Sequence, residues 1–164
     1  STLFPVPTTI PLLNDFEDKF DDMIDDLAFA NTRARIRMTA LYQIAQFNKG
    51  IVVGTGNKVE DFGVGFFTKH GDGGVDISPI ADCMKTEVWH MGRLLGVSEE
   101  IITAAPTDGL WDDGRNDEDQ LGMTYVDLEM AMAGMGPIGN IDKFRELQKK
   151  NLHKMNPIPV CKVH

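Results

Sequence analysis

The chain contains 164 residues, of which 42% are hydrophobic and 25% are charged, a composition that is ordinary for one globular domain. This excludes a wholly disordered, collagen-like, coiled-coil or disulfide-scaffold protein, and a formal net charge of -9 argues against a general nucleic-acid binder. The charge is uneven, because residues 31–69 and 141–164 are basic whereas residues 1–30 and 70–140 are acidic. The basic segments are either local anion sites or solvated helix faces.

The cysteine content and the first residues bear on localisation. Cys83 and Cys161 are the only cysteines, which indicates a reducing compartment. No apolar run approaches the ~20 residues that span a bilayer, and the first residues lack the features of a signal peptide. These features predict a cytoplasmic protein without a membrane partner. Because residue 1 is Ser rather than Met, we expect the chain to be processed or cut from something longer.

Apolar residues at helical spacing begin near residue 10 and continue in a long helix over about residues 26–47, which Asp25 or Asp26 could cap. Lys49 and Gly50 would end this helix with a glycine stop. The apolar run at residues 51–54 predicts a buried parallel strand. Later segments are predicted as a short helix at 57–63, an irregular glycine-rich stretch at 63–76, a helix at 79–95, a helix start at Ser98, an acidic loop at 104–119, and helices at 124–133 and 141–152.

The order of these elements predicts a helix-rich α/β fold with one clear buried strand. A parallel sheet needs several strands, so we expect part of the sheet to be missing from this chain.

Two polar residues follow the predicted strand, at the edge where open α/β sheets bind ligands. The Thr55 hydroxyl could contact a nucleotide, and the Glu60 carboxylate could hold Mg²⁺ through oxygen. From spacing alone, a capping role for Thr55 and a solvated Glu60 are equally good interpretations.

The glycine-rich stretch combines close backbone approach with ligand-binding side chains. Phe66 or Phe67 could stack on a planar ring, Lys69 could meet a phosphate, and Asp76 could accept a hydrogen bond. The stretch matches neither a Walker A loop nor the G-x-G-x-x-G fingerprint. The alternative is a mobile surface loop.

Three arginines lie on the long helix. Arg33 and Arg37 share one face while Arg35 points roughly the other way, so all three cannot serve one partner. Either the pair or the single arginine could bind an anion, and solvation is the alternative. The acidic residues 108–119 lack the order of an EF-hand, and they are interpreted as solvated, as a mobile lid or as a metal-binding module.

Six motifs occur in a fixed order: NTRARIRM (31–38), VGTGNKVE (53–60), FFTKHGDGGVD (66–76), KTE (85–87), APTDGLW (105–111) and HKM (153–155). Together they resemble NAD synthetases of the ammonia-dependent type, with agreement in order and spacing from about residue 12 to the end. The third motif is the most specific to that family.

The resemblance implies one NAD synthetase domain over residues 1–164, forming the helix-rich portion of a Rossmann-like, parallel-sheet ATP pyrophosphatase (adenine nucleotide alpha-hydrolase-like) fold. It also implies that ATP adenylates the nicotinate carboxylate of deamido-NAD and that ammonia displaces AMP, giving NAD and pyrophosphate. No protein nucleophile or general base is assigned, Mg²⁺ is the implied metal, and a homodimer is the implied assembly. The implied ATP contacts are Thr55, Lys85 and Thr107, the deamido-NAD contacts are Arg35, Lys69, Asp76, His153 and Lys154, and the metal ligand is Glu60.

One family motif has no counterpart in this sequence. The Ser-Gly-Gly-x-Asp-Ser loop that binds the pyrophosphate of ATP is absent, as is a glutaminase segment. We therefore expect a synthetase domain that is incomplete at its N-terminus, uses free ammonia and does not turn over as this 164-residue piece alone. The alternative is a truncated, non-catalytic synthetase that binds dinucleotide or dimerises without turnover.

Overall fold

The computed structural model describes residues 19, 26–111 and 113–163, so the predictions for residues 10–24 and for Asp25 lie outside the described residues. The chain divides into two compact units, each assembled from three separate stretches. The first unit draws on Ser1–Gly54, Phe67–Pro79 and Pro106–Asp117, and the second on Thr55–Phe66, Ile80–Ala105 and Glu118–His164.

The first unit is organised by helix α1, Asp26–Phe47, which confirms the predicted long helix. Its buried residues, Ala30, Ala34 and Met38, recur every four positions and form one stripe. Beyond the last helical residue, Phe47, Lys49 adopts a left-handed φ of 53°, and the Gly50 N–H donates to the Ala45 carbonyl at 2.8 Å. The predicted glycine stop is therefore wrong by one residue, since Lys49 takes the left-handed position.

The predicted strand at residues 51–54 is reduced to a single parallel bridge between Val53 and Ile77, and the described residues contain no longer ladder. The Gly54 N–H donates to the Ile77 carbonyl at 2.7 Å. Pro79 follows two residues later and has no N–H with which to continue the pairing. The parallel direction agrees with the prediction, whereas an extended sheet is not confirmed.

The second unit contains a seven-residue π-helix, Lys58–Val64, where the sequence predicts a short helix. Five α-helices follow along the chain: α2 (Lys85–Leu94), α3 (Glu99–Ile102), α4 (Asp117–Leu121, whose first residue is counted in the first unit), α5 (Tyr125–Met132) and α6 (Ile138–Met155). None of the described helices combines the length and apolar character needed to cross a membrane.

Helix α2 begins six residues later than predicted, at Lys85 rather than Pro79. The apolar spacing extends upstream, but Met84 is extended, with ψ of 157°, and the Cys83 carbonyl accepts the Lys58 N–H at 2.8 Å. Helix α5 starts after its N-cap Thr124 as predicted. The C-terminal helix is confirmed and is longer than predicted, because it starts at Ile138.

The core of the second unit joins the π-helix to the C-terminal helices. Its buried members are Val59, Val64, Leu121, Met123, Tyr125, Leu128, Ala131 and Phe144. Three side chains of α6 also donate to three successive carbonyls at the end of the π-helix. Gln148, Asn151 and Lys154 reach the carbonyls of residues 63, 64 and 65 at 3.1, 2.9 and 2.9 Å. These bonds satisfy acceptors that a helix end leaves without intrahelical partners.

Candidate functional site

Two of the predicted ligand residues form an ion pair in the second unit. Lys85 Nζ lies 3.1 Å from Glu60 Oε1, and the two side chains are only 19% and 13% exposed. The Tyr125 hydroxyl donates to the same Glu60 oxygen, and Lys85 Nζ lies 4.6 Å from the centroid of the Tyr125 ring. The geometry concentrates one anionic and one cationic group in a poorly hydrated place, where each acts strongly on a charged ligand.

Local capping interactions position Glu60. The buried Asn57 accepts the N–H groups of Val59 and Glu60 through Oδ1, each at 3.1 Å, and so caps the π-helix. The side chain of Asp61 lies over Gly56, where a Cβ would be 1.8 Å from a carboxylate oxygen. This packing explains why residue 56 is a glycine. The π-helix itself is notable because such segments are frequent at functional sites.

The start of α2 positions Lys85. Glu129 of α5 accepts the Thr86 N–H at 3.0 Å and its hydroxyl at 2.7 Å, and Glu87 accepts the Met84 N–H at 2.7 Å. Two carboxylates therefore occupy the N-terminus of this helix, where the helix dipole favours negative charge. Lys85, as the first residue of α2, takes its position from them.

The three predicted ATP contacts do not all lie in one unit. Thr55 and Lys85 belong to the second unit, and Thr107 belongs to the first. Thr55 is exposed. Thr107 is also exposed, and its hydroxyl accepts the Gly109 N–H at 3.2 Å in a local turn.

Asp76 of the first unit uses both carboxylate oxygens. Oδ2 accepts the Val52 N–H at 2.7 Å, and Oδ1 accepts the Tyr42 hydroxyl at 3.2 Å. Partial loss of hydration raises the pKa of Tyr42 above its ordinary value, and the nearby Asp76 carboxylate raises it further. Asp76 thus joins the predicted strand to α1.

The arginines of α1 separate by helical face, as the spacing predicts. Arg35 donates from Nε to the Lys69 carbonyl at 3.2 Å, which brings two predicted deamido-NAD contacts together. Arg33 and Arg37 instead donate to the carbonyls of residues 108–110 at 2.7 to 3.1 Å. The pair is therefore used to hold a loop of its own unit.

The glycine-rich stretch packs tightly on α1. A Cβ at Gly71 would lie 2.9 Å from the Cβ atoms of Ala34 and Thr68, and the preceding His70 has a left-handed φ of 67°. Phe67 covers Gly73 of the same stretch, whereas Phe66 packs against the core of the second unit. Phe66 thus has a packing role, and stacking of Phe66 or Phe67 on a planar ring stays a prediction.

The last two predicted contacts lie in the final turn of α6. His153 is exposed, while Lys154 is half-buried and donates to the Gly65 carbonyl. Lys154 therefore has a structural role at the end of the π-helix, whatever it binds.

Tyr125 and Glu129, which position Glu60 and Lys85, are not identified by the sequence motifs, and neither is Tyr42, which contacts Asp76 in the first unit. Tyr125 lies 65 residues from Glu60 along the chain, so no local pattern relates them. The one available signal is that Tyr125 follows the N-cap Thr124, which fixes where its helix begins.

The sequence model of the family described as NAD synthase matches residues 7–157. An NH(3)-dependent NAD(+) synthetase of Carboxydothermus hydrogenoformans is 46% identical over 131 residues, which cover 79% of this chain and 53% of that protein. The same-named protein of Methanococcoides burtonii is 46% identical over 138 residues, covering 76% and 52%. The chain spans about half the length of these curated relatives.

Solved structures support the same relationship. The NMN synthetase of Francisella tularensis superposes with a TM-score of 0.85 at 31% identity, over 93% of this chain and 64% of that one. An NH3-dependent NAD synthetase of Campylobacter jejuni superposes with a TM-score of 0.66 at 22% identity, over 93% and 62%, and shows a shared fold.

Proposed function

This chain belongs to the NAD synthase family, and we propose on that basis that the protein catalyses the ATP-dependent amidation of deamido-NAD with ammonia. The products are NAD, AMP and pyrophosphate. The names of the curated relatives support this activity, and the superposition on synthetases supports a Rossmann-like ATP pyrophosphatase fold for the part of the protein seen here.

The observation that carries the proposal is the Glu60–Lys85 pair, held at the end of a glycine turn and at a helix N-terminus. Adenylation of a carboxylate by ATP develops negative charge on the phosphates, and a fixed ammonium group stabilises that charge in a dry site. Lys85 would meet the phosphates, and Thr55 of the same unit is a further proposed ATP contact. Thr107 of the first unit is proposed as an ATP contact from the family motif alone. No nucleophilic side chain is needed, since the two substrates react directly with each other.

The residues present fit a magnesium ion that is held mainly by its substrate. Among the described residues, no group of three or more His, Cys, Asp or Glu side chains could hold a metal alone. Mg²⁺ commonly uses one or two carboxylates together with substrate phosphates. Within the part of the chain that the structure describes, the side chains of Lys85 and Tyr125 contact Oε1 of Glu60, so Oε2 is the oxygen that would hold Mg²⁺. When bound, the ion would offset charge on the phosphate oxygens.

The proposed deamido-NAD contacts rest on the family motifs. Arg35, Lys69 and Asp76 of the first unit supply two cations and one acceptor, which suits a dinucleotide with phosphates and ribose hydroxyls. His153 and Lys154 of the second unit would add basic contacts. A cytoplasmic homodimer completes the proposal, and light scattering of the purified protein would test the assembly.

A second candidate differs in the size of the acceptor. The similarity to an NMN synthetase favours amidation of nicotinate mononucleotide in place of deamido-NAD. The reaction chemistry is the same, because only the adenylate half of the dinucleotide is missing.

The test is a product analysis with the protein expressed from its complete reading frame. Supplied with ATP, Mg²⁺, ammonium and deamido-NAD, it should form NAD, AMP and pyrophosphate in equal amounts. Faster turnover of nicotinate mononucleotide would favour the second candidate. Binding of deamido-NAD in calorimetry without product would favour a non-catalytic dinucleotide binder, and ADP with phosphate as products would contradict the proposal.

A further inference from the structure

Tyr125 lies between the two charged residues of the site, although no motif of the sequence assigns it a role. Its side chain is fully buried, its hydroxyl donates to Glu60 Oε1, and its ring face receives the Lys85 ammonium group. The same ring and the Trp89 ring form a T-shaped pair, with centroids 6.0 Å apart and planes at 80°. The Tyr125 backbone N–H is also held, by Glu118 at 2.9 Å.

We propose that Tyr125 is a positioning residue of the nucleotide site, which keeps Glu60 and Lys85 in place when their mutual ion pair gives way to ligands. This inference rests on the proposed function, because it takes Lys85 as a phosphate contact and Glu60 as the magnesium ligand.

The hydroxyl matters because a Lys85 ammonium group that moves toward a phosphate weakens its ion pair with Glu60. When the ammonium group turns toward phosphate, Glu60 Oε1 loses a charged partner in a site where the side chain is 13% exposed. A poorly hydrated carboxylate without partners is costly. The Tyr125 hydroxyl stays bonded to Oε1. This bond fixes the orientation of the carboxylate, so Oε2 keeps its position for the metal ion.

The ring matters because Lys85 contacts its face in addition to Glu60, and this contact does not depend on the ion pair. The ring quadrupole attracts an ammonium group that lies over the aromatic face, and Lys85 Nζ is 4.6 Å from the centroid of the Tyr125 ring. Trp89 and the surrounding core prevent the ring from following the lysine. Lys85 is thereby kept near the site in both arrangements.

Tyr125→Phe separates these two contributions, since it removes the hydroxyl and retains the ring. In the complete protein we expect the Mg²⁺ and ATP concentrations for half-maximal rate to rise about tenfold, the loss expected for one hydrogen bond to a charged group. The KM for deamido-NAD should stay the same. Calorimetry should show the same loss of affinity for Mg²⁺-ATP, independently of turnover.

Two controls distinguish positioning from a general structural role. Thr103→Val removes an exposed hydroxyl of the same unit that donates to the Glu99 carbonyl at 2.8 Å, outside the site, and should leave Mg²⁺-ATP affinity within about twofold. In a Glu60→Gln background, Tyr125→Phe should add less than about twofold, because its hydroxyl acts through Glu60.

Unchanged Mg²⁺-ATP affinity in Tyr125→Phe, or an equal loss in both backgrounds, would overturn the positioning role alone, provided that the wild type makes NAD. A wild type that neither binds Mg²⁺-ATP nor makes NAD would refute the proposed function, and the inference would fall with it.

Discussion

Glu129 accepts hydrogen bonds from both the backbone N–H and the hydroxyl of Thr86, so one carboxylate of α5 is hydrogen-bonded to the first turn of α2. Thr86 directly follows Lys85, and the two bonds therefore hold the backbone that presents the lysine. The arrangement replaces the side-chain cap that the N-cap residue Met84 does not make.

Glu129→Gln should lower the free energy of unfolding by about 1–2 kcal/mol, because the amide loses the charge at the helix N-terminus and can accept less well. Urea unfolding of the purified protein measures the change. Glu146→Gln, an exposed glutamate on α6, is the matched control and should be neutral. Equal effects of the two variants would show that Glu129 does not cap α2.

Gly71→Ala should destabilise the protein by about 1–3 kcal/mol, because the new methyl group would overlap Ala34 and Thr68 at the surface of α1. Gly139→Ala is the control, since a Cβ there meets nothing within 4 Å and alanine favours the helix. Thermal unfolding of both variants compares them. A neutral Gly71→Ala would mean that the glycine-rich stretch does not pack on α1 as described.

Lys154→Met should lower stability by about 1 kcal/mol, because the Gly65 carbonyl at the end of the π-helix loses its donor. Lys150→Met removes an exposed lysine of the same helix and should have little effect. Denaturant midpoints without ligands isolate this structural role from any effect on substrate binding. If both variants behave alike, the bond to Gly65 contributes nothing measurable.

The raised pKa of Tyr42 predicts a pH dependence with a definite sign. A raised pKa means that folding favours the neutral phenol, so its contribution is complete below the ordinary value of 10.0 and is lost as the pH rises through the folded pKa. The stability difference between wild type and Tyr42→Phe should therefore shrink as the pH rises above the ordinary value of 10.0. A difference that stays constant or grows over this range would contradict the environment of Tyr42.

Much of the helical structure could be predicted from the sequence, because apolar spacing and caps act locally. The stripe of α1 and the Thr124 cap of α5 are examples. The predicted start of α2 was wrong because apolar spacing cannot show that the Cys83 carbonyl accepts a hydrogen bond from the distant Lys58 N–H. The strand predicted at residues 51–54 is shorter in the structure for a similar reason, since its pairing depends on a distant partner segment that ends at Pro79.

The candidate site shows the same division. Motifs identified Glu60 and Lys85, and the structure brings those two together. The residues that position them are distant along the chain. Tyr125 is 65 residues from Glu60, and Glu129 is 43 residues from Thr86, the neighbour of Lys85. Such contacts arise from packing of α5 against other elements, and no single-sequence pattern records them.

The measurement that tests the central claim most directly is the rate of NAD formation against ATP concentration for the complete protein, its Lys85→Met variant and its Lys149→Met variant. Lys149 is an exposed lysine on α6 and serves as the control. If Lys85 stabilises charge on the phosphates, its loss should lower kcat/KM for ATP about 100-fold, whereas Lys149→Met should stay within about twofold. Wild-type kinetics in Lys85→Met, or no NAD formation by the wild type, would contradict the account.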